Sequence, residues 1–299
     1  MRKLFLSAFA AALIMTAVFT SCSNDDESVP SVPSVLSVSS VPVTFALGGD
    51  WQGSDESFAA SRRRRAAAVS GSSMTDVWVF DYMGGTLKQQ VHQSSGDEDF
   101  GAPTVSLDYG EHTLYFVTSC GDTPTLNTTN HTLAFTKVKD TFWKSVAVNV
   151  TSGTAANQSV TMDRVVTKLI IQPTDAVPAS INTISLVLGT WYNTMDYLTG
   201  LPTAADTNYD RTLTVPDSYK GTTGTFSVNI TGFCGADFTT AIAVTAKDGE
   251  NATIGYASIA SAQLKRNRAS RYTGTLFGND NALSLGINDE WLSEFGGTW

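Results

Sequence analysis

A chain of 299 residues with 42% hydrophobic and only 16% charged residues has the apolar material for one large domain or two of ordinary size, and is too hydrophobic for a disordered protein. Its formal net charge of −9 and its single dense basic run, Arg62, Arg63, Arg64 and Arg65, leave no distributed basic face to neutralise phosphates, which sets nucleic acid aside as a partner. Thr, Ser, Val and Gly are plentiful, the composition of β-strands joined by turns.

Arg2 and Lys3 precede an apolar stretch, residues 4–19, and Thr20 and Ser21 lead to Cys22. This is the charged, apolar and small-residue order of a secretory signal, and so short a span ending at a cysteine is a weak candidate for a permanent membrane helix. Residues 1–21 read as a lipoprotein signal peptide, with Cys22 as the lipid-bearing first residue of the mature chain. The alternative is an ordinary secretory signal and an incidental cysteine. Ser23, Asn24, Asp25, Asp26 and Glu27 form a polar, acidic tag, and residues 28–43 repeat Ser-Val-Pro. Such a repeat favours polyproline II and has no apolar face to bury, so residues 22–43 are expected to be a tag and a tether off the membrane.

Val43, Phe45 and Leu47 alternate with polar or small residues up to Gly48-Gly49, the pattern of a half-buried strand. A polar stretch runs on to the four arginines and three alanines. Strand signals follow at 76–82, closed by Gly84-Gly85 and answered by 87–93 as a hairpin, then at 105–107, 112–117, 131–135, 146–150 and 159–162. A second series occupies 165–171, 184–188, 212–215, 225–230, 240–246, 253–259, 271–276 and 283–287. The spacing is that of antiparallel sandwiches. No stretch carries three turns of helical periodicity behind a cap; residues 141–144 and 290–294 are expected to form short helical turns at most. With a boundary near 163, the expectation is an all-β chain of two tandem antiparallel β-sandwiches, at 44–162 and 163–299, the first including the 43–47 strand and the arginine run.

Little of the sequence points to chemistry. His92, His112 and His131 each lie in or beside a strand, without HExxH, CxxC or a close histidine pair to suggest zinc, and no GxSxG elbow or phosphate loop is present. No catalytic residue, metal or cofactor is expected. Asp97-Glu98-Asp99 and Asp206 with Asp210 fall in expected loops, as solvated acidic turns or as oxygen ligands for Ca²⁺. Trp78, Phe80 and Tyr82 alternate on one strand face, and Phe142 with Trp143 is expected to close the end of the first sandwich. Trp191, Tyr192 and Tyr197 are read either as packing or as a platform for a sugar ring. Cys120 and Cys234 either pair in an oxidising compartment or are unpaired, buried small residues. Residues 283–299 either close the second sandwich or donate a strand to a neighbour.

Several segments together resemble one family: SMTDVWVFDYMGGTL at 73–87, HTLYFVTS at 112–119, DTFWKS at 140–145, MDRVVTKL at 162–169, LKRNRASRYTGTLF at 264–277, and an end running from Ile287-Asn288-Asp289-Glu290-Trp291 to Gly297-Thr298-Trp299. With the lipoprotein signal and an acidic tag of the kind that marks surface export in Bacteroidetes, the chain is similar over its whole length to the fimbrillin superfamily of Bacteroidales, most of all to its fimbrillin-A-associated anchor protein branch. The resemblance implies two transthyretin-like β-sandwiches and a structural subunit of a type V pilus. It also implies export as a lipoprotein to the surface of the outer membrane. Stalk subunits of the family lose an N-terminal strand to an Arg-specific protease and accept a strand from the next subunit. On that pattern Val43, Phe45 and Leu47 mark the displaceable strand, Arg62, Arg63, Arg64 and Arg65 the processing site, and the partners are other fimbrial subunits, the protease, and the outer membrane through lipid on Cys22. Without processing, the arginines are a solvated loop facing anionic headgroups. Anchor subunits of the family keep their lipid, so anchor, stalk and tip positions all stay open. The alternative from another class is a non-polymerising surface lipoprotein that binds glycans or host proteins.

Overall fold

Ten residues, Ser40–Gly49, form strand β1, and the rest of the first sandwich is built around them. The computed structural model describes residues 40–49, 67–68, 73–277 and 283–286. Within them all regular structure is extended apart from one 3-10 turn at Asp217–Tyr219. Residues 141–144, expected as a helical turn, belong instead to strand β9, Thr141–Val150.

Two sheets make the first sandwich. In one, β1 lies between β10 (Asn157–Thr161), which it pairs in parallel, and β5 (Thr104–Asp108), which it pairs antiparallel; β2 (Ala67–Ala68) pairs with Gly48 and Gly49 on the side away from β10. The other sheet has the order β11-β9-β6-β3-β4, with β3 at Asp76–Met83, β4 at Thr86–Ser94, β6 at Gly110–Ser119 and β11 at Asp163–Arg164. The expected hairpin of β3 and β4 is present; Gly84 and Gly85 take φ of 57° and 78°, the left-handed values that a tight two-residue turn requires. Val43, Phe45 and Leu47 pack between the sheets against Val77, Val79, Leu114, Phe116, Val105 and Val160.

The second sandwich pairs the sheet β17-β12-β20-β21 with the sheet β16-β13-β18-β19. Its strands are β12 (Val166–Pro173), β13 (Ile181–Trp191), β16 (Asp206–Thr214), β17 (Val228–Phe233), β18 (Phe238–Asp248), β19 (Thr253–Leu264), β20 (Ala269–Gly274) and β21 (Leu283–Gly286). Its topology repeats that of the first. In chain order β12, β13, β16, β17, β18, β19 and β20 stand where β1, β3, β4, β5, β6, β9 and β10 stand. β12 is antiparallel to β17 and parallel to β20, as β1 is to β5 and β10. β13 pairs β16 and β18, and β18 pairs β19, as β3 pairs β4 and β6, and β6 pairs β9.

A fifth sheet joins the two sets. β7 (Thr125–Asn127) and β8 (Thr132–Ala134) come from the first, β14 (Thr194–Asp196) and β15 (Leu201–Pro202) from the second, and β8 pairs with β14. It covers the outer face of β3, so that β3 is buried on both sides: Val77 and Val79 face the first core, while Trp78, Phe80 and Tyr82 face Leu133, Met195, Tyr197 and Phe233. Arg164 fastens the same region. Its guanidinium meets both Asp140 oxygens at 2.6 and 2.8 Å, lies 4.7 Å from the centre of the Phe142 ring, and reaches Asn267 of the β19–β20 turn at 3.1 Å.

Candidate functional site

β1 starts at Ser40, inside the stretch expected to be tether. The shift is possible because even-numbered residues of β1 direct their N–H groups towards β10, as Thr44 does in donating to the Ala156 carbonyl at 2.7 Å. Pro42 lacks that donor, but β10 pairs only from Thr44 onwards, so its missing N–H leaves no ladder bond unmade. Odd-numbered residues serve the other side: Phe45 N–H donates to Pro103 O at 3.0 Å and Leu47 N–H to Gly101 O at 2.9 Å. The same odd-numbered side chains point inward, and Val43, Phe45 and Leu47 are 0%, 0% and 1% exposed.

The two ends of the trough around β1 are braced by hydrogen bonds in which β1 takes no part. The Gln93 amide accepts from Gly101 N–H at 3.1 Å and donates to Asp99 O at 3.0 Å, which fixes the 99–103 turn whose carbonyls receive β1. At the other end of β5, His112 on β6 is buried with Asp81 on β3. Its Nδ1 lies 2.7 Å from Asp81 Oδ1 and its Nε2 2.9 Å from Asp108 O. Burial raises the Asp81 pKa, and the His112 contact pulls against it. Asp108, held in this way, is the Cα partner of Ser40.

Among the described residues, β2, β5 and β10 have no sheet partner other than β1. β5 pairs Ser40 to Thr44 and β10 pairs Thr44 to Gly48. If β1 is withdrawn, β10 is left opposite the carbonyls of the 99–103 turn, and β5 opens on the other half of a gap about 10 Å wide, twice the ordinary strand spacing. The floor between them is apolar, formed by Phe116, Leu114, Val77 and Val79. An extended segment fits the gap if it runs parallel to β10 and antiparallel to β5 with apolar side chains at alternate positions. The corresponding strand β12 has no such freedom. Its chain arrives from β11, which is paired into the first sandwich at Arg164↔Phe142 and Asp163↔Trp143.

Cys22, the arginines 62–65, the signal and the tether up to residue 39 lie outside the described residues, as do residues 287–299. The three histidines are not gathered. His92 stacks on Trp78 with ring centres 5.0 Å apart and its Nε2 2.9 Å from Asp76 Oδ1, while His131 stands edge-on to Tyr82 and Tyr197. Among the described residues no three His, Cys, Asp or Glu side chains are grouped to hold a metal ion. Asp206 and Asp210 sit on strand β16 rather than in a loop, accepting from Asn193 at 2.8 Å and Ser185 at 3.0 Å. Trp191 and Tyr197 are fully buried and Tyr192 packs edge-on to Phe238, so these three serve packing and not an exposed sugar platform. Cys120 and Cys234 are both free thiols. The sequence gives no warning of the Gln93 brace or of the Asp81–His112 pair, since each partner alone is an ordinary strand residue.

No family model matches the sequence, and no curated protein does. The fold matches solved structures. A candidate cell adhesion protein of Bacteroides ovatus superposes with a TM-score of 0.51 at 16% identity, over 85% of this chain and 98% of that one. A candidate adhesin of Bacteroides thetaiotaomicron superposes with a TM-score of 0.50 at 8% identity, over 84% and 97%. The fimbrial anchor protein Mfa2 of Porphyromonas gingivalis gives a TM-score of 0.46 at 8% identity, over 84% and 98%. At these identities the likeness is one of fold.

Proposed function

We propose that the chain is a structural subunit of a cell-surface fimbria, carried to the outer membrane as a lipoprotein on Cys22 and assembled with other subunits by β-strand exchange at the β1 position. The observation that carries this reading is that, among the described residues, β1 alone joins β5 to β10. A strand in that place fills an apolar trough and satisfies two edges at once, so its removal creates a site that only another extended, alternately apolar strand can fill. Contacts of this kind run head to tail and extend without closing. Sharing a fold with a candidate adhesin and a candidate cell adhesion protein supports a surface role.

Arg62, Arg63, Arg64 and Arg65 fall in the chain between β1 and β3. An Arg-specific protease cutting there separates the lipid and β1 from the remainder in one step, which suits a stalk or tip subunit. The test is to treat the exported protein with such a protease and run it unboiled in SDS. A strand-exchanged subunit gives a ladder of resistant oligomers, lost when the four arginines are replaced by Gln. A lipoprotein that binds glycans or host proteins as a monomer gives a single band before and after cleavage.

A further inference from the structure

The fifth sheet covers the outer face of β3 but leaves part of β6 open. Phe80 is fully buried, while Tyr115, its partner across the β3–β6 ladder, is only partly so. At this border a set of rings lock one another in place. Tyr197 stacks on Phe80 with ring centres 3.8 Å apart, and its hydroxyl lies 3.1 Å from that of Tyr82 in a buried hydrogen bond. Tyr115 and His131 both stand edge-on to Tyr82, at 5.7 and 6.0 Å, and His131 also to Tyr197, at 5.8 Å. Tyr197 N–H donates to the His131 carbonyl at 2.9 Å, which ties the turn between β7 and β8 to the end of β14.

The polar ends of this group are unused. Among the described residues no hydrogen bond holds the Tyr115 hydroxyl or either ring nitrogen of His131, whereas His92 and His112 are bonded to Asp76 and Asp81. Asp196, the last residue of β14, accepts from Leu198 N–H through Oδ1 at 2.7 Å, and among the described residues its Oδ2 has no donor. Burial, then Tyr82 and Asp196, raise the Tyr115 pKa, which sets the Asp196 carboxylate near that hydroxyl. Tyr115, His131 and Asp196 are all partly exposed. They offer a hydroxyl, an imidazole and a carboxylate oxygen beside aromatic rings. An apolar ligand would leave these groups without partners, and an anion would meet the Asp196 charge. A cation would need open ring faces, yet one face of Tyr197 is taken by Phe80. A pyranose fits: its hydroxyls both donate and accept, and its C–H face lies against a ring.

We propose that Tyr115, His131 and Asp196, backed by Tyr82 and Tyr197, bind a neutral hexopyranose unit of a glycan. Tyr197 is fully buried and holds the group together without touching the sugar. The site lies on the other side of the β3–β6 sheet from the trough that receives β1, since Val79 and Phe116 face that trough while Tyr82 and Tyr115 face away from it. It therefore does not rest on strand exchange, and a fimbrial subunit and a monomer would carry it alike.

The test is saturation-transfer NMR on the full chain bearing Cys22→Ser, with the methyl glycosides of glucose, galactose and mannose as probes. At least one should bind with a Kd in the millimolar range. Tyr115→Phe keeps the ring and loses the hydroxyl, and Asp196→Asn keeps an acceptor for Leu198 N–H. Each should weaken binding by about tenfold while leaving the urea midpoint unchanged, which separates a lost contact from a lost fold. His131→Asn, which tolerates the left-handed φ of 57°, should abolish binding. Silence from all three probes overturns the proposal. So does binding indifferent to both Tyr115→Phe and Asp196→Asn, or a preference for choline or glucuronate over the neutral sugars.

Discussion

The ring of Phe45 on β1 lies 5.1 Å from that of Phe116 on β6, inclined at 58°. The contact crosses from the strand proposed to leave the protein to the sheet that stays. Fully burying side chains like Val43, Phe45 and Leu47 stabilises by about 1.5–3 kcal/mol each, roughly 5–9 kcal/mol together, against a total of about 5–15 kcal/mol for an ordinary domain. A chain without β1 is thus close to unfolding until another strand replaces it. Phe45→Ala should lower stability to urea by about 3–5 kcal/mol, whereas Ala46→Ser on the exposed face should change it by less than about 0.5 kcal/mol.

The joint between the sandwiches gives a second prediction. Trp143 Nε1 donates to the Tyr197 carbonyl at 2.7 Å, and Gly200, at φ 67°, sits against the indole so closely that a Cβ there would stand 2.5 Å from Trp143 Cδ2. Gly200→Ala meets both a left-handed backbone and an indole that must shift to admit the methyl group, and should cost roughly 2–4 kcal/mol. A red shift of tryptophan fluorescence in the native variant would show the indole displaced; unchanged emission and unchanged urea midpoint would count against this account of the joint.

Arg164 and Asp140 are both nearly excluded from solvent, with side-chain exposures of 4% and 5%. Removing either leaves a buried charge unpaired, so Arg164→Ala and Asp140→Ala should each cost about 3–5 kcal/mol. The double variant should cost less than the sum of the two. Arg164→Lys should rescue poorly, since an ammonium cannot hold both carboxylate oxygens and also lie over the Phe142 ring. Thermal denaturation of the four proteins reads all three expectations.

Burial pushes the Cys234 thiol up to about 12 and raises that of Cys120 as well. Both should resist iodoacetamide at pH 8 in the native protein and react once it is unfolded, as followed by peptide mass. The same shift fixes a sign for stability. With the folded pKa above the unfolded one, the contribution of neutral Cys234 is complete below pH 9 and is lost as pH rises towards 12. Cys234→Ala should flatten the fall in stability over that alkaline window.

How far these features can be read from sequence depends on what covers each strand. Val43, Phe45 and Leu47 announce β1 because one face is buried and the other is not, which leaves a period of two. In β3 every position from Val77 to Tyr82 is buried, so Trp78, Phe80 and Tyr82 can be assigned to one face but the layer beyond them cannot be foreseen. That layer is made of strands of two or three residues, β7, β8, β14 and β15, too short for any periodicity. Asp206 and Asp210 look like a loop because acidic residues are poor strand formers; pairing of β16 along β13 overrides that preference. The parallel placement of β10 beside β1 rests on chain crossovers that no local pattern records.

The most direct measurement is the intact mass and N-terminal sequence of the protein taken from the cell surface. Strand exchange after processing predicts a mature chain that begins at or just after Arg62, Arg63, Arg64 or Arg65, carries no lipid and lacks β1. A mature chain that begins at acylated Cys22 and keeps Val43, Phe45 and Leu47 would contradict it.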